Sequence, residues 1–144
     1  MGVIARLLGL RSADERRAEA PIAAVAAANA ILEASWRRGL EVNAPRLQRL
    51  VMLCDHACMR RTDRRLVEER PIETLGMPFH PAITDAFARY ASGPITRPAN
   101  LREIAVPQIA IIDDERLAVI EEVLDLTGRM PTHRIPRMGD RTVW

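Results

Sequence analysis

The sequence predicts a mainly α protein, a compact bundle of about five helices with short extended segments between them. Three observations carry this. Hydrophobic residues make up 48% of the chain but aromatics only 3%, so the core must be built from Ala, Leu, Ile, Val and Met, which favours close helix packing over aromatic-rich strands. Apolar residues recur at i, i+3, i+4 and i+7 in long stretches. Prolines and glycines fall between those stretches and punctuate them. A chain of 144 residues suits one domain, and a charged fraction of 28% argues against wholesale disorder.

In chain order, residues 1–20 read as an N-terminal arm, with Val3, Ile4, Leu7 and Leu8 as a short apolar stripe before the charged run Asp14-Glu15-Arg16-Arg17. Residues 21–144 read as the helical domain. A first helix is expected from Pro21 to Arg38, with Ile22, Val25, Ala26, Asn29, Leu32 and Trp36 inward and Gly39 as its stop. Its alanines raise helix propensity and let a neighbour approach closely. The second helix is the best specified. Asn43 is a candidate N-cap, Pro45 fits the first turn, and Leu47, Leu50, Val51, Cys54, Ala57 and Cys58 form an unbroken stripe, with Arg46, Arg49, Asp55 and Arg60 mostly off it.

The Arg-rich stretch from Arg60 to Arg70 is expected to hold one short helix capped by Asp63. Pro71 to Pro81 contains three prolines and a glycine, which forbid a continuous helix, with Ile72–Leu75 as a short strand. A further helix starts at Pro81, with Ile83, Ala86, Phe87 and Tyr90 inward, and ends near Ser92-Gly93-Pro94. Val106–Ile112 has β-branched character and reads as extended. Asp113 or Asp114 caps a last helix whose inward face is Leu117, Ile120, Val123 and Leu124, stopping at Gly128. An Arg- and Pro-rich tail closes the chain at Trp144.

Charge and motif content narrow the chemistry. The net charge of +2 falls well short of a dedicated nucleic-acid binder, and the 21 basic residues are all arginine. No lysine is present for a Schiff base or a phosphate loop, and no Gly-rich phosphate loop, nucleophile elbow or His-Glu-x-x-His occurs. Cys54, His56 and Cys58 cannot converge on one ion, because on a helix His56 lies roughly opposite the cysteines; no metal and no cofactor is expected. Adjacent carboxylates such as Glu68-Glu69 and Asp113-Asp114 diverge on a helix and read as solvated faces or caps. The arginines at 60, 61, 64, 65 and 70 are interleaved with Asp63, Glu68 and Glu69, and no aromatic is interleaved for base stacking, so they read first as a solvated face. No secretory signal and no run of about 20 apolar residues is found, so a cytoplasmic protein without a membrane partner is expected.

Several segments, read together, carry a resemblance. Ala27-Ala28-Asn29-Ala30-Ile31-Leu32-Glu33 and Gly39 precede Pro45-Arg46-Leu47-Gln48-Arg49-Leu50-Val51-Met52-Leu53; further on come Pro71 to Pro81, then Tyr90 with Pro94-Ile95, and a closing Trp144. Over about residues 22–144 this resembles the SocA-like (Panacea) antitoxin family, as a divergent member. Arginines stand where the family has lysines, and Tyr-Gly-Pro is not kept between Pro71 and Pro81. The resemblance implies a compact helical domain without catalytic residues that neutralises a cognate toxin by direct binding, in some members also delivering it to a ClpXP-type protease. Two other roles stay open: a phage or mobile-element accessory protein with another partner, and a nucleic-acid-binding regulator. The candidate partner contacts are Gln48, Glu73, Met77, Phe79 and His80. Gln48 could instead bond a loop backbone, and Phe79 could instead fill the core.

Overall fold

A computed structural model describes residues 19–100 and 105–136. Most of the N-terminal arm, including its Val3–Leu8 stripe, and the last eight residues with Trp144 lie outside the described residues. The protein is mainly α, with four α-helices among the described residues rather than about five. In order they are α1 (Ala24–Arg37), α2 (Ala44–Thr62), α3 (Pro81–Ala86) and α4 (Asp114–Thr127). A two-stranded hairpin, β1 (Ile72–Thr74) and β2 (Met77–Phe79), lies between α2 and α3, and 3-10 turns occupy Ala88–Tyr90 and Thr132–Arg134.

Helix α2 is the spine. The Asn43 side chain accepts the Arg46 N–H at 3.0 Å and Pro45 sits in the first turn, as the sequence predicts. Its stripe of Leu47, Leu50, Val51, Cys54, Ala57 and Cys58 is buried throughout. It packs most extensively against α4, then α1, and also meets α3 and β2. Truncating any one of its buried leucines to alanine is worth about 2–5 kcal/mol.

The missing helix is the one expected between Arg60 and Arg70. Asp63 adopts the left-handed conformation (φ 59°) and ends α2 instead of starting a helix. Beyond it the chain bends without forming a helix, because Asp55 reaches across eleven residues to accept the Leu66 and Val67 amides at 2.8 and 2.9 Å. Val67 also forms a parallel bridge with Ile22, which holds residues 21–22 extended and delays α1 to Ala24. Glu69 then supplies a cap that no local residue provides, its carboxylate accepting the Ala24 amide at 2.9 Å.

Of the inward face expected for α4, Ile120, Val123 and Leu124 are buried as predicted and Leu117 is not. Arg116, Val119 and Thr127 complete the buried face. Arg116 is fully buried yet well partnered: it donates to Asp113, to the Arg65 carbonyl at 2.7 Å and to the Ala20 carbonyl at 3.0 Å. Those bonds offset its desolvation, so that at the start of α4 the inward position goes to Arg116 rather than to Leu117. At the other end of α4, Arg46 donates to the carbonyls of Thr127, Gly128 and Met130 at 2.6–3.1 Å, so a residue expected off the α2 stripe is buried as a C-terminal cap.

The helix expected from Pro81 to Ser92 is shorter than predicted, giving way to a 3-10 turn at Ala88 and then a tight turn in which the Gly93 amide bonds the Tyr90 carbonyl at 2.8 Å. Ile83 and Phe87 are buried, with Ala86 and Tyr90 packed beside them. The segment from 106 to 112 forms no strand; it is held by a bridge from Asn100 to Pro107, by the Asn29 bond to the Gln108 carbonyl and by Ile112 against the core.

Candidate functional site

Two adjacent residues of α2 frame a groove of about 790 Å³. Gln48 and Arg49 diverge by about 100° around the helix and so hold different walls. Gln48 holds the hairpin side: its Oε1 accepts the His80 amide at 2.9 Å, and its Nε2 donates to the His80 carbonyl at 2.9 Å and to Thr84 Oγ1 at 3.1 Å. Arg49 holds the opposite side by donating to the carbonyls of Thr132 and Ile135 at 3.0 and 3.4 Å. The floor is Pro45 and Met52; Glu73, Met77, Pro78 and Phe79 form one wall, and Thr132, His133 and Pro136 the other.

The hairpin wall has a defined register, Ile72 opposite Phe79, Glu73 opposite Pro78 and Thr74 opposite Met77. Its two-residue turn, Leu75-Gly76, has φ of 54° and 76°, both in the left-handed region. Glycine takes that conformation freely, whereas for leucine it costs about 1 kcal/mol or more. Leu75 is also 98% exposed, so this apolar side chain is held out into solvent on a strained backbone, with Ile72 and Met77 half exposed beside it. The sequence reading took Leu75 as the end of a strand, because Leu-Gly is not the Asn-Gly or Asp-Gly signal of such a turn.

Of the five side chains expected to touch a partner, Gln48, Glu73, Met77 and Phe79 line this one groove. Gln48 does so with its amide already spent on the His80 backbone and Thr84, the loop-bonding alternative. Phe79 is half buried at the wall rather than in the core. His80 is a correction. It is only 1% exposed, because the Gln48 clamp and the start of α3 draw it inward, and it has no surface to offer a partner. Its Nδ1 has no hydrogen-bond partner among the described residues. Burial pushes the imidazole below its ordinary pKa, opposed by Glu69 and Asp55 and reinforced by Arg65. Groove residues that the sequence reading missed include Arg49, Thr132, His133 and Pro136; periodicity marks Arg49 only as off the apolar stripe, and the last three lie in a segment without periodicity.

Elsewhere the chemistry is quiet. Cys54 and Cys58 are buried free thiols; burial raises Cys54 well above the usual thiol range and pushes Cys58 up to about 12, so neither is poised as a thiolate. Among the described residues no group of three or more His, Cys, Asp or Glu could hold a metal ion, and no helix is long and apolar enough to cross a membrane. The Arg60–Arg70 cluster is partly spent inside the molecule: Arg61 pairs with Glu122, Arg64 with Asp113 and Glu115 at 2.8 and 2.7 Å, and Arg65 with Asp55 at 3.2 Å. No family model matches this chain, and neither does any curated protein or solved structure, so the groove and the quoted motif residues are what its function must be read from.

Proposed function

We propose that this chain is a non-catalytic interaction protein that binds a protein partner through the groove between α2 and the hairpin. The observation that carries this reading is the pairing of an apolar-walled groove with Leu75, an almost fully exposed leucine kept at positive φ in the hairpin turn between Thr74 and Gly76, which line the groove. Strain of this kind is retained where it serves a contact, and a projecting aliphatic side chain beside a groove is the form an interface anchor takes. The buried, protonated thiols and the internally paired arginines support it by leaving little for catalysis or for phosphate binding.

The resemblance to the SocA-like family names the partner: a cognate toxin, neutralised by direct binding, with delivery to a ClpXP-type protease as a second step. Co-expression with the product of the neighbouring gene tests both parts. The expected result is that the neighbour is toxic alone, is tolerated with this chain, and co-purifies with it; Leu75→Glu should abolish both effects without lowering the melting temperature. A neighbour that is harmless and does not co-purify would sink the toxin reading. A complex formed with some other protein through the same groove would leave an accessory role in its place.

A further inference from the structure

We propose that His80 is a pH-responsive latch for the hairpin wall of the groove, holding β2 against α2 while its imidazole is neutral and releasing it once the ring is protonated. The latch acts on the free chain, whatever partner the groove takes.

The geometry is that of one residue held from three directions. Its backbone amide and carbonyl are both bonded by Gln48, its carbonyl also receives the Ile83 and Thr84 amides that begin α3, and its side chain is buried behind them. His80 therefore joins the end of β2 (Phe79) to the start of α3 (Pro81), and withdrawing its ring would pull on the Gln48 bonds that fix the hairpin wall.

The surroundings of the ring favour its neutral state. Nδ1 lacks a partner, so the neutral tautomer that suits the site carries its proton on Nε2 and leaves a lone pair at Nδ1. Protonation must then place a new N–H at Nδ1, buried and without an acceptor. Neither nearby carboxylate bonds Nδ1, and both are engaged elsewhere. Asp55 from α2 is occupied by the Leu66 and Val67 amides and by Arg65, while Glu69 is bonded to the Ala24 amide. Both carboxylates attract an imidazolium through space, Arg65 repels it, and burial outweighs the sum.

The sign follows. A histidine whose folded pKa lies below its unfolded value of about 6.5 binds more protons when released, so the closed state is favoured above that pH and weakens as pH falls toward the folded value. One proton linked to opening gives at most a tenfold rise in the opening constant per pH unit.

The full chain tests this with two measurements between pH 4.5 and 8: an NMR titration of the three imidazoles, and hydrogen exchange of the backbone amides corrected for intrinsic rates. The latch predicts that His80 stays neutral below pH 6.5 with its proton on Nε2. It also predicts that the His80 amide and those of β1 and β2 lose up to tenfold protection per pH unit on acidification, while the α1 and α2 amides hold theirs. In His80→Phe, which keeps a ring and removes the titration, hairpin protection should be flat with pH. Titration of His80 at or above pH 6.5 overturns the proposal. So does a parallel loss of protection in hairpin and helices, or hairpin protection in wild type that does not change with pH. Should His80→Phe fail to fold, the wild-type titration and exchange decide the matter by themselves.

Discussion

Two carboxamides do the same thing in two regions of this molecule, with different consequences. Asn29 of α1 accepts the Ala99 amide at 2.8 Å and donates to the Ala99 carbonyl at 2.9 Å, with a second bond to the Gln108 carbonyl at 2.8 Å. Gln48 of α2 makes the same paired bonds to His80, with its second one to Thr84. Asn29 is 3% exposed and ties both Ala99, itself buried, and Gln108 to the core. Gln48 is half buried on the edge of an open groove, and the residue it holds has an imidazole with no partner at Nδ1. The difference teaches that hydrogen-bond geometry alone does not set how tightly a segment is held; access to water and the groups behind the bond decide it.

The sharpest way to break this contrast is to remove each clamp. Asn29→Ala leaves the buried Ala99 amide without its partner and removes a bond from each of the Ala99 and Gln108 carbonyls, and should lower stability by about 2–3 kcal/mol, read as a lower midpoint in urea unfolding. Gln48→Ala should cost only about 1–1.5 kcal/mol, because water reaches the freed groups, and hydrogen exchange should place the loss in the hairpin rather than in the whole fold. Equal effects from the two substitutions would show that the regions are not different in kind.

Each region also contains a residue at positive φ that would suit glycine better. Before the Asn29-held segment, Ala91 stands at φ 49°, ψ −120°, the second position of the turn from Tyr90 to Gly93, where glycine is preferred. Ala91→Gly is expected to raise stability by about 1 kcal/mol, a gain of several degrees in melting temperature. In the groove region, Leu75→Asn should stabilise the hairpin by about 0.5 kcal/mol, since Asn-Gly suits this turn, and should weaken partner capture in a pull-down. If Leu75→Asn leaves capture intact, the exposed leucine is not the anchor.

Much of the architecture was legible in the sequence because it is local. The Asn43 cap, Pro45 and the Leu47–Cys58 stripe specify α2 within one stretch of chain, and the helix after Asp113 is marked by the same periodicity. The irregular segment from Pro71 to Pro81 was readable as non-helical, and four of the five candidate contacts chosen from it and from α2 line a common groove. What could not be read was any role that depends on a distant partner. Asp55 looked like a surface residue on a helix until Leu66 and Val67 met it, and nothing in the apolar pattern of the last helix marks Arg116 for the interior, where the Arg65 and Ala20 carbonyls receive it. His80 looked like an exposed loop residue until Gln48 pulled its backbone in.

By itself, then, the amino-acid sequence determined the helical class, the placement of its long helices and the break between Pro71 and Pro81, since periodicity, caps and proline act over a few residues. The tertiary structure alone decided that residues 63–70 form no helix, that α4 turns an arginine inward, and that the hairpin stands off α2 to leave a groove. Each of these is settled by polar groups that lie far apart in the chain. A buried amide or guanidinium must find a partner wherever the fold supplies one, and the sequence does not state where that is.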